Sequence, residues 1–225
     1  MTRGPLIGLA LTALAGWVDA IGFLRLGGLY PSFMSGNTTQ LGIAVAHVDL
    51  VSAFFPAILV ALFVAGALVG AAVTELATRW GLVVCFCLEA LLLAAALTLS
   101  AQEQEAALAL APLPAAMGLQ NATAGRLTKA GLGITFVTGS LVRLGQGCAS
   151  ALRGGPAFEW LLPALTWLAM MAGATGGGAT YATLGPLALA VPALCVAAIA
   201  VVAAVIAGAG QRWHAGPEPV DDAPR

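Results

Sequence analysis

Residues 16–20 read Gly16-Trp17-Val18-Asp19-Ala20, and residues 118–122 read Gly118-Leu119-Gln120-Asn121-Ala122. The residues after each stretch correspond as well. Phe33-Met34-Ser35-Gly36-Asn37 is answered by Phe136-Val137-Thr138-Gly139-Ser140, and Leu41-Gly42 by Leu144-Gly145. Further on, Ala65-Gly66 and Gly70 are matched by Ala172-Gly173 and Gly177. Single matches arise easily among Ala- and Gly-rich segments, but four in the same order at a nearly constant offset point to an internal repeat. The expected division is a first unit at 1–104, a second at 105–210 and a polar tail at 211–225.

Composition says what solvent surrounds these units. Of 225 residues, 60% are hydrophobic and only 8% charged, and the mean hydropathy is +0.96. A soluble domain carries about 25% charged residues because its surface faces water. Too few charges exist here to cover a globule, so lipid must be the solvent and the chain is expected to be an all-α integral membrane protein. The net charge of -1 provides no basic field for nucleic acid.

A crossing needs about 20 mostly apolar residues, since roughly 30 Å of hydrocarbon is spanned at 1.5 Å per residue. Six stretches qualify: 5–24, 51–76, 80–100, 106–123, 156–181 and 184–208. Two weaker ones, 27–46 and 131–150, are rich in Gly, Ser and Thr and interrupted at their centres. The first stretch imitates a secretory signal peptide, with Arg3, an apolar run and Ala13-Leu14-Ala15. Its counterpart around Asn121 is internal, so it is expected to be retained as a helix.

Basic residues decide between six and eight crossings. With eight, Arg3, Arg153, Arg212 and Arg225 fall on one side and Arg25, Arg79, Arg126 and Lys129 on the other. If the weak segments dip in and return, only Arg25 opposes the rest. Lys and Arg resist translocation, so the lopsided arrangement is expected. Both termini are then cytoplasmic, and three crossings per unit invert the second unit relative to the first, a common transporter plan.

The interrupted segments carry the chemistry. Pro31 precedes Ser35-Gly36-Asn37-Thr38-Thr39, and Thr135 precedes Thr138-Gly139-Ser140. Glycine allows a sharp reversal, and Ser, Thr and Asn cap new helices through their free N–H groups. A half-helix starting at membrane depth aims its positive dipole end inward, which suits a small polar or anionic solute. The plainer reading is a pair of kinked helices whose hydroxyls bond their own backbone. Asp19, a carboxylate inside an apolar run, is a candidate for proton coupling; otherwise it is hydrated near the outer interface beside Arg25. Arg143, where the first unit has Gln40, needs a counter-charge or anionic ligand if it lies deep, with Asp19 the expected partner; otherwise it snorkels to the interface. Glu89 is central in its span and is a second protonatable group, or else a hydrogen-bonded packing acid.

Other patterns are bland. Gly66-x-x-x-Gly70 and Gly173-x-x-x-Gly177 allow close helix approach, within the chain or in a homodimer. Cys85, Cys87, Cys148 and Cys195 lack CxxC spacing, and His47 and His214 are remote, so no metal site is expected. Asn37-Thr38-Thr39 and Asn121-Ala122-Thr123 match the glycosylation pattern but sit in apolar surroundings. No Walker loop, dinucleotide fingerprint or HExxH pair occurs, so neither an enzyme nor a cofactor is expected.

The set Gly16-x-x-Asp19-Ala20-x-Gly22-Phe23-Leu24, Phe33-Met34-Ser35-Gly36-Asn37-Thr38, Gly118-Leu119-Gln120-Asn121-Ala122 and Thr135-x-x-Thr138-Gly139 resembles the YoaK family (domain of unknown function 1275), small bacterial membrane proteins. Ser35 stands where the family pattern favours Thr, a swap that keeps the hydroxyl. The resemblance implies an inner-membrane protein of about six spans and supplies no substrate. The expected function is a small-solute secondary transporter or channel with its site between the interruptions. Ser35, Gly36, Asn37, Thr38, Gln120, Asn121, Thr138, Gly139 and Ser140 would line that site, and Asp19, Arg143 and Glu89 would tune charge or proton coupling. The alternative is a non-transporting scaffold or complex subunit whose polar groups only pack helices.

Overall fold

Among the described residues, four helical stretches are long and apolar enough to cross a membrane: Pro5–Arg25, Leu50–Leu76, Gly81–Ala101 and Leu161–Ala209. The last holds 49 residues, about 74 Å if straight at 1.5 Å per residue, more than twice the roughly 30 Å of hydrocarbon. Gly185, at φ 55, breaks it into two helices. The computed structural model describes residues 3–77, 79–102, 106–128 and 135–214. Lys129, residues 131–134 of the second weak segment and residues 215–225 of the tail, Arg225 included, lie outside them, as do the side chains of Arg3, Arg126 and Arg212.

In chain order the helices are α1 (Arg3–Arg25), α2 (Met34–Ala46), α3 (Leu50–Leu76), α4 (Gly81–Ala101), α5 (Ala106–Leu110), α6 (Pro112–Thr128), α7 (Val137–Leu152), α8 (Leu161–Leu184) and α9 (Ala190–His214), with a 3-10 turn at Gly185–Leu189. No strand occurs among the described residues. The expected run 106–123 is not one helix. Pro112 and Pro114 offer no N–H to a preceding turn, so the short α5 stops at Leu110 and α6 starts at Pro112. At 13 and 16 residues, α2 and α7 measure about 20 and 24 Å, short of a full crossing.

The core forms where α1, α4, α6 and α9 meet. Leu11, Val18 and Ile21 of α1 pack with Phe86 and Leu93 of α4, Leu113 and Met117 of α6, and Val196 of α9. Two helix pairs approach more closely still, because glycines remove the side chain at the contact. A Cβ on Gly66 would lie 2.0 Å from the Ala115 carbonyl oxygen, and one on Gly118 1.9 Å from that of Phe63. In the other pair, a Cβ on Gly173 would lie 1.8 Å from the Ala13 oxygen, and one on Gly16 2.3 Å from that of Met170. The two small-residue faces are therefore spent inside the chain.

These contacts also give directions. Gly66 faces Ala115 and Gly70 faces Leu119, so α3 and α6 run parallel; Gly173 faces Ala13 and Gly177 faces Trp17, so α1 and α8 run parallel. Arg79, just before α4, donates from Nε to the Ala207 carbonyl near the end of α9 at 2.9 Å, and from Nη2 to the same oxygen. The start of α4 meets the end of α9, and the two run antiparallel.

Candidate functional site

Asp19 stands about 9 Å short of the end of α1, counting 1.5 Å per residue. Beyond Arg25 the chain turns through Gly27 and Gly28, at φ 63 and 97, values that favour glycine. It then folds back along the helix. The Ser32 amide donates to Asp19 Oδ1 and the Ser32 hydroxyl to Oδ2, each at 2.6 Å. Gly22 leaves room for the Pro31 ring, which a Cβ would meet at 2.2 Å. Asn37 staples the same loop: its Oδ1 accepts from the Tyr30 amide at 3.0 Å and its Nδ2 donates to the Tyr30 carbonyl at 2.6 Å. The Tyr30 ring lies between Phe23 and Phe33, at centroid distances of 5.1 and 5.3 Å. The loop re-enters to the level of Asp19, and α2 starts there.

A second corner comes after α6. Asn121 lies about 10 Å short of that helix's end. Its Oδ1 accepts from the Thr135 hydroxyl at 3.0 Å and the Thr135 amide at 3.4 Å, while its Nδ2 donates to the Met117 carbonyl at 2.8 Å. Helix α7 begins two residues after Thr135. In both corners a phenylalanine precedes the new helix and its ring covers a glycine of the first turn, Phe33 over Gly36 and Phe136 over Gly139. These are also the N-cap positions, and neither makes a side-chain cap bond. The expected capping by Ser, Thr or Asn is thus absent: the Thr38 hydroxyl donates to Met34 O and that of Thr39 to Ser35 O, inside their own helix.

The third polar feature is at the centre. Glu89 and Gln120 are fully buried, on α4 and α6. Neither carboxyl oxygen of Glu89, nor Oε1 or Nε2 of Gln120, has a hydrogen-bond partner in this structure, although the Gln120 amide is the side chain that approaches the acid. Cys85, one turn before Glu89, donates weakly to the Gly70 carbonyl at 3.8 Å, and Thr123 donates to Leu119 O at 2.8 Å. Buried polar groups are nearly always paired, so each exception requires an explanation. Among the described residues no three His, Cys, Asp or Glu side chains converge to hold a metal.

Corners, glycine contacts and family-specific motifs lie on one continuous stretch. The family model described as "Protein of unknown function (DUF1275)" matches residues 7–202. The chain belongs to the DUF1275 family. A relative within reach of full length, UPF0700 transmembrane protein RA0705 of Rhizobium meliloti (strain 1021), is 34% identical over 196 residues, covering 85% of this chain and 84% of that protein. No solved structure matches. This DUF1275 chain is a membrane protein of an uncharacterised family, as its apolar helices and its transmembrane relative agree.

The DUF1275 fold distributes the residues singled out from sequence over three places rather than one. Asp19 and Asn37 belong to the first corner, Asn121, Gly139 and Ser140 to the second, and Glu89 and Gln120 to the centre. Ser35, Thr38 and Thr138 are exposed on the bundle's outside, and Gly36 is half-buried. Helix α2 packs on α3 and α7 on α8, and the two short helices share no substantial contact. Asp19 is not paired with Arg143. Its oxygens are taken by Ser32, while Arg143 is exposed and donates to the Ser140 hydroxyl at 3.2 Å. Ser32 was not singled out from the sequence, and its one signal there is its place beside Pro31 at the loop's return.

Proposed function

We propose that this DUF1275 protein is a secondary transporter for a small polar or anionic solute, built from two inverted units of three crossings and one re-entrant segment each. The observation that carries it is the pair of matching corners. Non-helical backbone at membrane depth persists only where protein shields it or where it lines a water-filled cavity. Transporters of inverted-repeat design place their sites near the midplane between units, flanked by such breaks.

The helix directions support inversion. Parallel α1/α8 and α3/α6 pairs fit six or eight crossings alike. With eight, α4 and α9 would hold equal places in units of one orientation and run parallel, and Arg79 and Ala207 would lie at opposite faces. Their contact favours six. Six crossings also gather Arg3, Arg79, Arg126, Lys129, Arg153, Arg212 and Arg225 on one face by sequence position, which the positive-inside rule makes cytoplasmic. Both termini then face the cytoplasm of a bacterial inner membrane. The path for the solute would run where α1, α4, α6 and α9 meet, past Glu89 and Gln120.

Two measurements test this reading. A thermal-shift screen of the purified protein against small polar solutes finds ligands that bind the folded state, and flux into proteoliposomes is then measured for each hit. Saturable flux is expected; solute-dependent stabilisation with no flux in any direction sinks the transporter and leaves a binding or scaffold protein. In a background lacking Cys87, Cys148 and Cys195, cysteines placed at Val48 and Phe158, both exposed, should label from opposite faces. Labelling from one face restores eight crossings.

A further inference from the structure

We infer that Glu89 and Gln120 form a proton-binding site at the middle of the bundle, in which Glu89 carries an exchangeable proton and Gln120 is its hydrogen-bond partner. This rests on the transporter reading only for its purpose, by naming the coupling ion; the site itself stands on geometry.

Glu89 lies about 12 Å from the start of α4 and about 18 Å from its end, close to a bilayer's midplane. An ionised carboxylate without a partner is far too costly there, so something must neutralise it. No cation does so from the described residues. On α4 itself the neighbour is the thiol of Cys85; α6 brings Gln120 and Thr123. On α3, Glu75 is exposed at the far end; α5 and the 3-10 turn carry only Ala, Leu, Gly and Pro; on α9, Cys195 points outward. A proton is the neutralising species this set accommodates. A protonated carboxyl offers one donor and one acceptor, the complement of the Gln120 oxygen and amide, and the pair can close two bonds face to face. Once ionised, Glu89 has acceptors only: it can keep one bond from the Gln120 N–H group, but its other oxygen opposes the Gln120 oxygen, and the donors it then lacks come from entering water or solute. Loss of the proton and entry of a hydrogen-bond donor are thereby linked.

Packing alone does not require these groups. The alignment that pairs Asn121 with Asp19 sets Gln120 opposite Val18, and the offset that pairs Gly66 with Gly173 sets Glu89 opposite Val196. Both valines are fully buried in the same core. Each half thus carries one valine and one polar group at these positions, Val18 and Glu89 in the first and Val196 and Gln120 in the second.

Infrared spectroscopy of the full-length protein in liposomes reads this directly, without knowledge of the solute. At pH 7 exposed carboxyls, with ordinary values of about 4, are ionised, so a carboxylic-acid carbonyl band reports a buried protonated group. Asp19 is a second buried carboxyl, so the two variants are read together: the wild-type band should lose a component in Glu89→Gln, and that component should be retained in Asp19→Asn. No band in the wild type, or a band unchanged in Glu89→Gln, overturns the assignment. A second variant covers a misfolded Glu89→Gln: Gln120→Leu keeps the band and shifts its frequency, and an unshifted band overturns the partnership. A wild type that shows solute flux but no such band would remove the proton site and leave the transporter.

Discussion

Asp19 holds Ser32 through two bonds of 2.6 Å, one to each carboxylate oxygen, whereas Asn121 holds Thr135 through one oxygen at 3.0 and 3.4 Å. Both residues do the same mechanical work, drawing a returning loop down beside the helix it has just left. A carboxylate offers two acceptors and charge-assisted bonds, which are shorter and roughly twice as strong as neutral ones. A carboxamide offers one acceptor, and Asn121 spends its N–H group on its own helix at Met117. The first corner is therefore tightly latched and the second more loosely, and only the first carries a group that can change charge.

The largest effect should come from cutting the tighter latch. Asp19→Ala strands the buried amide and hydroxyl of Ser32, and stranded groups cost about 1–3 kcal/mol each; a loss of about 3 kcal/mol is expected in thermal or denaturant unfolding in detergent. Asn121→Ala leaves a half-buried Thr135 with longer bonds, and about 1 kcal/mol is expected. Equal losses would mean that the corners are not differently loaded. Asp19→Asn keeps one acceptor for the Ser32 amide and should fall between the two, since the Ser32 hydroxyl can turn and accept from the new amide. If the proton resides on Glu89, Asp19→Asn also leaves the pH dependence of solute flux in place, while Glu89→Gln removes it. A reversed pattern would move the coupling group to the corner.

The sequence made parts of this legible and hid others for physical reasons. Apolar runs at the length of a bilayer mark α1, α3 and α4 closely and α8 and α9 more loosely, with α8 starting at Leu161 and α9 at Ala190, because lipid solvation demands continuous hydrophobicity. The glycines at 66, 70, 173 and 177 were readable as contact faces, but not whether they met this chain or a second copy, since spacing carries no partner. Asp19 stood out as a charge in an apolar run. Its partner did not, because a serine is unremarkable until the fold returns it to the same depth. Arg143 looked like the natural counter-charge, yet α7 turns it outward. Glu89 stood out as a second protonatable group and Gln120 as a candidate lining residue, but an acid in one half and an amide in the other carried no sign of each other. Only the approach of α4 to α6 makes them a pair.

The smallest expected effect compares how the two long helices after the corners begin. Helix α3 starts at Asp49, whose carboxylate accepts from the Ser52 amide at 3.0 Å, whereas α8 starts at Trp160 with no side-chain cap. Asp49 lies outside the apolar spans and is fully exposed. The Ser52 hydroxyl, followed by the Ser52 amide, holds its carboxyl below the ordinary value. A group whose folded value is depressed binds its proton less readily when folded, so its stabilisation is present above the unfolded value of about 4 and is lost as pH falls through the folded one. Asp49→Asn keeps a capping oxygen but removes the charge. The variant should melt slightly below the wild type at neutral pH, and the gap should close on acidification below about pH 4. No matching change is expected at the α8 end, where Trp160 has nothing to titrate. A gap that stays the same in acid would show that the Asp49 charge contributes nothing and that the α3 cap works through shape alone.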